Sequence, residues 1–158
     1  MQKKALVVID IQNDITKNYR EIIDNINTAV DWAAANDIHV VYIKNQGKTS
    51  FKPGTRGFEF VPEMKIVSEN TFIKTRASAL TSEEFAAFIS ENEIKEFYIA
   101  GADAVACVKS TCYNMTKKGY IVHVLSDCIT SYDKRKIADM LKYYESKGCN
   151  VVTLGEVT

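Results

Sequence analysis

Four runs of apolar residues constrain this chain more than any other feature: Ala5-Leu6-Val7-Val8-Ile9, Val40-Val41-Tyr42-Ile43, Phe97-Tyr98-Ile99-Ala100 and Ile121-Val122-His123-Val124-Leu125. A strand with one wet face alternates polar and apolar residues, so runs without that alternation mark strands covered on both faces. Between them the period changes to that of a helix. Ile22, Ile26, Ala29, Val30 and Ala33 share one helical face, as do Phe85, Phe88 and Ile89. A third helix is predicted from about Cys107 to Lys118 with Gly119 as its stop, and a fourth carries Ile137, Leu141 and Tyr144 and ends near Gly148. Two shorter runs, Thr71-Phe72-Ile73 and Cys149 to Leu154, bring the strands to six. The alternation predicts the α/β class: a three-layer α/β/α, Rossmann-like architecture with a six-stranded, mostly parallel sheet. With 158 residues and no linker, repeat or low-complexity tract, residues 1–158 read as a single domain. Thr81-Ser82-Glu83-Glu84 has the form of a capping box. The glycine- and proline-bearing stretch from residue 45 to 62 reads as an ordered loop, with a short helical turn near Glu63.

Charge excludes some partners. Lys+Arg and Asp+Glu balance at 20 each, so nothing basic argues for nucleic acid or an anionic membrane. No apolar run approaches a membrane span. MQKKALVVIDIQND has a short basic start but no small-residue cleavage site, and reads as a strand rather than a signal peptide. Cys107, Cys112, Cys128 and Cys149 form no CxxC pair, which suits reduced thiols in a cytoplasmic protein. The two histidines, His39 and His123, fall on strands two and five, where packing is the commoner role, so neither a metal nor another cofactor is expected.

In parallel α/β sheets, ligands sit beyond the carboxyl ends of the strands. That rule selects Asp10, Asn45, Lys74, Asp103, Cys107 and Asp127. Cys107 opens a helix, where the dipole and a nearby lysine are expected to lower a thiol pKa. Asp10 is placed to take the thiol proton, and Lys74 to hold thiolate and carboxylate together. Backbone N–H groups of the 101–107 loop point where a carbonyl oxygen gains charge. Nucleophile, base, cation and oxyanion site together suit acyl transfer or hydrolysis at a carbonyl. Each residue alone also fits a plain structural role: a small buried cysteine, an aspartate in a turn, a solvated lysine. Cys112 does not share a helix face with Cys107, Cys128 and Cys149 read as core, and Asp127 reads as fixing the turn after strand five. Tyr143 and Tyr144 read as packing or interface positions.

ALVVIDIQND, PGTRGFEFVPEM, IKTRASAL and IAGADAVACVKSTCYNMTKKGYIVHVLSDC, in that order, resemble the isochorismatase-like cysteine hydrolases over nearly the whole chain. The family's V-x-D-x-Q appears as Val8 to Gln12, its lysine before an SAF-like turn as Lys74 with Ser78-Ala79-Leu80, and its G-x-x-x-x-x-C-V turn as Gly101 to Val108. The resemblance implies a catalytic triad of Asp10, Lys74 and Cys107. It also implies a cis peptide at Ala102–Asp103 that turns the N–H groups of Asp103 and Cys107 toward an oxyanion. The activity implied is cleavage of an amide or carbamoyl-type C–N bond of a small molecule through a thioester on Cys107. Gln12, Asn13, Asn45 and Arg76 are the substrate-binding candidates, with loop polarity or, for Arg76, a surface ion pair as the plain alternative. Nicotinamidases in this family bind a metal through an aspartate and two histidines between strands two and three. The stretch from Asn45 to Asn70 holds no histidine, so no metal is expected here. The branch that cleaves isochorismate replaces the cysteine, which this chain keeps. Relatives commonly assemble, which implies a homo-oligomer. One competing reading is a catalytically weak or inactive ligand-binding protein on the same scaffold; alkylation of Cys107 well below pH 8 is expected only of the enzyme. A flavodoxin-like nucleotide or redox protein would want a glycine-rich loop after strand one, where Asp10 and Asp14 stand instead.

Overall fold

The computed structural model describes residues 3–158, the side chains of Thr16 and Lys17 excepted, so Met1 and Gln2 of the N-terminal stretch lie outside it. The strands are β1 (Lys4–Ile9), β2 (His39–Asn45), β3 (Thr71–Lys74), β4 (Glu96–Ala102), β5 (Ile121–Thr130) and β6 (Asn150–Val152). The helices are α1 (Ile23–Ala35), α2 (Glu83–Glu91), α3 (Cys107–Lys117), α4 (Ile137–Ser146) and a short α5 (Leu154–Val157). One six-stranded sheet runs in the order β3-β2-β1-β4-β5-β6, and every neighbouring pair is parallel.

Period-two geometry divides the apolar runs between two cores. From β1, Leu6 and Val8 pack against Ile23, Ile26, Ala29, Val30 and Ala33 of α1. Ala5, Val7 and Ile9 face the opposite side, with Phe85 and Ile89 of α2, Val108, Cys112 and Met115 of α3, and Tyr144 of α4. Phe97 on β4 is fully buried there, and its truncation to alanine costs about 3–5 kcal/mol by lost transfer energy and the cavity left behind.

The chain builds outward from β1 to β3, then returns to the other side of β1 to lay down β4. The order therefore reverses between β1 and β4, and the carboxyl ends of strands at such a reversal are the usual ligand position in parallel sheets. Gly101 makes that junction possible. Its φ is +121°, and a Cβ there would stand 2.3 Å from the Ile9 carbonyl oxygen and 2.6 Å from the Ile9 nitrogen.

Local boundaries differ from the sequence reading for identifiable reasons. The N-cap of α2 is Ser82, whose hydroxyl accepts from the Phe85 N–H. Thr81 instead closes a 3-10 turn, its hydroxyl donating to the Ser78 carbonyl. A capping box does occur at α5, between Thr153 and Glu156. The helical turn expected near Glu63 lies earlier, at Arg56–Phe58, leaving only a turn closed by Met64 N–H on the Val61 carbonyl. Strand β5 continues past Leu125 because its register against β4 jumps from Ile99↔Val124 to Gly101↔Ile129. Asp127 lies in that irregularity and accepts from the Leu154 N–H at 2.9 Å, so it caps α5 and not a turn after the strand. Leu154 opens α5, which ends the sixth strand at Val152.

Candidate active site

Three charged or reactive side chains meet where β1, β3 and α3 end or begin. Asp10 follows β1 directly and has a φ of 59°, a left-handed conformation uncommon for a residue with a side chain. Its N–H donates to the Ile43 carbonyl at 3.0 Å, which ties the turn to β2. Lys74 is the last residue of β3, with a side chain that has no exposure. Cys107 is the first residue of α3 and is partly exposed. Lys74 Nζ lies 3.1 Å from Asp10 Oδ2 and donates to Cys107 Sγ at 3.3 Å. A third donation goes to Asn45 Oδ1 at 3.2 Å.

Electrostatics in this cluster differ from the sequence expectation. Burial pushes the Asp10 carboxyl up from the ordinary carboxylate range, and the Lys74 ammonium only partly opposes that. The Cys107 thiol is not lowered; it is pushed up to about 11, first by burial and then by the Asp10 charge, against the pull of Lys74. The helix N-terminus and one lysine are outweighed because the thiol sits in a dry site facing a carboxylate. Asp10 Oδ1 is buried with no hydrogen-bond partner among the described residues, and the Cys107 thiol faces the same carboxylate.

The turn between β4 and α3 is braced from several sides. The Ala102–Asp103 peptide is cis. The Asp103 carbonyl accepts from the N–H groups of Ala106 and Val108. Asp103 Oδ2 accepts from Tyr19 Oη at 2.8 Å and from the Tyr132 N–H at 3.0 Å, and Oδ1 from the Val105 N–H at 2.9 Å. Burial alone would push this carboxyl up, but these donors together hold it below the ordinary range. Tyr144, at the base of the turn, donates its hydroxyl to the Ala104 carbonyl. Sequence reasoning assigned Asp103 only through its N–H and overlooked Tyr19 entirely. No local pattern joins residues that far apart in the chain.

The remaining candidates divide. Gln12 was expected to face a ligand, but it is fully buried and its amide is spent inside the protein. Nε2 donates to the carbonyls of Asn45 (2.9 Å) and Phe58 (2.8 Å), and Oε1 accepts from the Asn45 N–H (2.8 Å). Asn13 Nδ2 donates to the Arg56 carbonyl at 2.8 Å, fastening the loop after β2. Asn45 joins the cluster through Lys74. Arg76 is exposed, and no described carboxylate pairs with it, contrary to the surface ion pair considered for it.

Two cavities bear on ligand access. The larger, about 620 Å³, lies by Lys3, Trp32, Glu96 and Tyr98, at the amino ends of the strands and far from the cluster. The smaller, about 360 Å³, is lined by Asp14, Ile15, Asn18, Tyr19, Phe51 and Tyr132, and touches the β4–α3 turn through Tyr19 and Tyr132. Neither lining includes Asp10, Lys74 or Cys107, but the smaller cavity reaches the β4–α3 turn that precedes Cys107 and the larger does not. Among the described residues, no group of three His, Cys, Asp or Glu side chains is gathered, and no helix is long and apolar enough to cross a membrane. A metal between β2 and β3 does not fit the residues there. Asn45 Oδ1 is committed to Lys74, Glu59 pairs with Lys44, and Glu63 pairs with Arg20. His39 stacks edge-on against Phe88, and His123 contacts Glu96.

Comparison with known proteins agrees with this architecture. An uncharacterized isochorismatase family protein of Bacillus subtilis (strain 168), YddQ, is 27% identical over 141 residues, covering 80% of this chain and 78% of its own. An isochorismatase family protein from Desulfovibrio vulgaris superimposes with a TM-score of 0.92 at 19% identity, over 98% of this chain and 96% of that one. A pyrazinamidase from Pyrococcus horikoshii, solved in complex with zinc, gives 0.86 at 20% identity, over 96% and 99%. The isochorismatase domain model matches residues 4–156, nearly the entire length, and the chain therefore belongs to the isochorismatase-like hydrolase family.

Proposed function

We propose that this protein is a cysteine hydrolase that cleaves the C–N bond of a small amide or carbamoyl compound, with Cys107 as nucleophile, Asp10 as proton carrier and Lys74 as fixed cation. The observation that carries the reading is the convergence of these three groups, with Lys74 Nζ 3.1 Å from Asp10 Oδ2 and 3.3 Å from Cys107 Sγ. Likeness to a pyrazinamidase supports an amide over other carbonyl substrates.

Raised values on both Asp10 and Cys107 shape the mechanism. At neutral pH the thiol keeps its proton, and Asp10 Oδ1 has no donor among the described residues. As sulfur attacks the carbonyl carbon, the thiol proton passes to Asp10 and the carbonyl π pair moves to oxygen. Net charge in the dry site is the same before and after, so the transfer escapes the desolvation that opposes a free thiolate. Lys74 then stabilises the developing sulfur charge. The N–H groups of Asp103 and Cys107, at the cis turn and the first position of α3, are proposed to receive the oxyanion. Collapse breaks the C–N bond, and the proton on Asp10 goes to the departing nitrogen. Water attacks the thioester, giving its proton to Asp10; the expelled sulfur takes that proton back and the acid leaves. The part of the substrate beyond the carbonyl rests in the cavity bounded by Tyr19, Phe51 and Tyr132.

A panel of primary amides and carbamoyl compounds, assayed for ammonia release with Cys107→Ala as control, tests the proposal. Release by the native protein and not by the variant is expected. Equal release by both would overturn it.

A further inference from the structure

An ammonium group has three N–H bonds to give, and Lys74 gives all three inside the protein: to Asp10 Oδ2, Cys107 Sγ and Asn45 Oδ1. We propose that Asn45 is the positioning residue of this site, its uncharged amide oxygen holding the Lys74 ammonium in the one orientation that aims an N–H at Cys107. The inference rests on the cysteine hydrolase reading and assigns a task to a residue outside the reacting trio.

Three features support it. Asn45 and Lys74 are register partners across β2 and β3, and the Gln46 N–H donates to the Lys74 carbonyl at 2.8 Å, so their backbones cannot slide apart. Gln12 grips the Asn45 main chain in both directions, N–H and C=O, leaving the side chain free for Lys74. Gln12 lies two residues after Asp10, so one short stretch fixes both the carboxylate and the third acceptor.

The choice of residue follows from charge. One carboxylate and one ammonium cancel here. An aspartate at position 45 would place two anions on one cation in a dry site and drive the Cys107 thiol further from ionisation. An apolar residue would leave an ammonium N–H buried without an acceptor. Asparagine supplies an acceptor and adds no charge. Asp103, in the turn that precedes Cys107, is already committed to Tyr19, Val105 and Tyr132.

The test needs no substrate. Iodoacetamide alkylation of Cys107, followed by peptide mass spectrometry between pH 7 and 10, is compared in the full-length native protein, Asn45→Ala, Asn45→Asp and Lys74→Met, with melting temperature read alongside. Alkylation in Asn45→Asp is expected to be slower by about tenfold, the equivalent of one pKa unit. In Asn45→Ala it is expected to be slower by about threefold, from a looser ammonium. Either folded variant labelling at the native rate or faster overturns the role of Asn45. Should Asn45→Asp fail to fold, the Asn45→Ala rate decides. Lys74→Met separates the two readings: if it is slow while the Asn45 variants match the native protein, only the Asn45 inference falls. If it too labels at the native rate, the coupled cluster falls with it.

Discussion

Two lysine–carboxylate pairs of similar length sit in opposite surroundings. Lys65 Nζ lies 2.8 Å from Asp31, with 47% and 57% of the side chains exposed. Lys74 Nζ lies 3.1 Å from Asp10, with 0% and 2% exposed. Distance alone would rank the first as stronger. Solvent decides otherwise: at Lys65 water and salt screen the attraction and both side chains lose entropy to hold it. At Lys74 the attraction is unscreened, yet both ions have been stripped of water to obtain it. The buried pair is costly to assemble and costlier to break, which is what a reactive site needs and a surface does not.

The largest expected effect is chemical. Cys107→Ala removes the third member of the buried cluster, and turnover of any substrate found in the amide panel should drop by at least about 10³-fold, as loss of a nucleophile does elsewhere. The melting temperature should change little, since one partly exposed sulfur is lost. Next comes breaking the buried pair. Lys74→Met strands the Asp10 carboxylate and should cost about 3–5 kcal/mol in chemical denaturation, or on the order of 10 °C in melting temperature. Asp10→Asn combined with Lys74→Met should recover much of that loss, and a double variant no more stable than the single one would mean the pair is not coupled.

A third prediction concerns alkali. Because folding raises the Cys107 thiol from 9 to about 11, the folded protein keeps a proton that the unfolded chain releases. The corresponding stability is fully present below pH 9 and is lost as pH rises through about 11. In denaturation curves across that range the native protein should therefore lose stability relative to Cys107→Ala, by at most about 2–3 kcal/mol. Parallel curves would place the thiol in water. The smallest effect belongs to the exposed pair: Lys65→Ala should cost less than about 1 kcal/mol, and added salt should shrink even that. A larger loss would erase the contrast between the two pairs.

Much of the scaffold was legible because it is written in local periods. The apolar runs became the strands of β1, β2, β4 and β5, and the carboxyl-edge rule brought Asp10, Asn45, Lys74 and Cys107 to one rim. Where the reading went astray, the deciding partner lay far along the chain. Gln12 follows Asp10 in a motif that suggests a ligand contact, yet its amide is consumed by Asn45 and Phe58. The thiol of Cys107 carries the local marks of a lowered pKa, a helix start and a lysine. Those marks say nothing of how dry the site is or where the Asp10 charge falls. Thr81 matched a capping pattern, but the backbone had already turned at Ser78, handing the cap to Ser82. Sequence spacing reports which edge a residue occupies; desolvation and the identity of hydrogen-bond partners emerge only once the layers close.

The most direct measurement is the mass of the protein during turnover. With an amide accepted from the panel, acid-quenched samples taken in the first turnovers should contain a species heavier by the acyl group, and peptide mapping should place that mass on Cys107. Hydrolysis that proceeds with no added mass on Cys107, and at an undiminished rate in Cys107→Ala, would contradict the account.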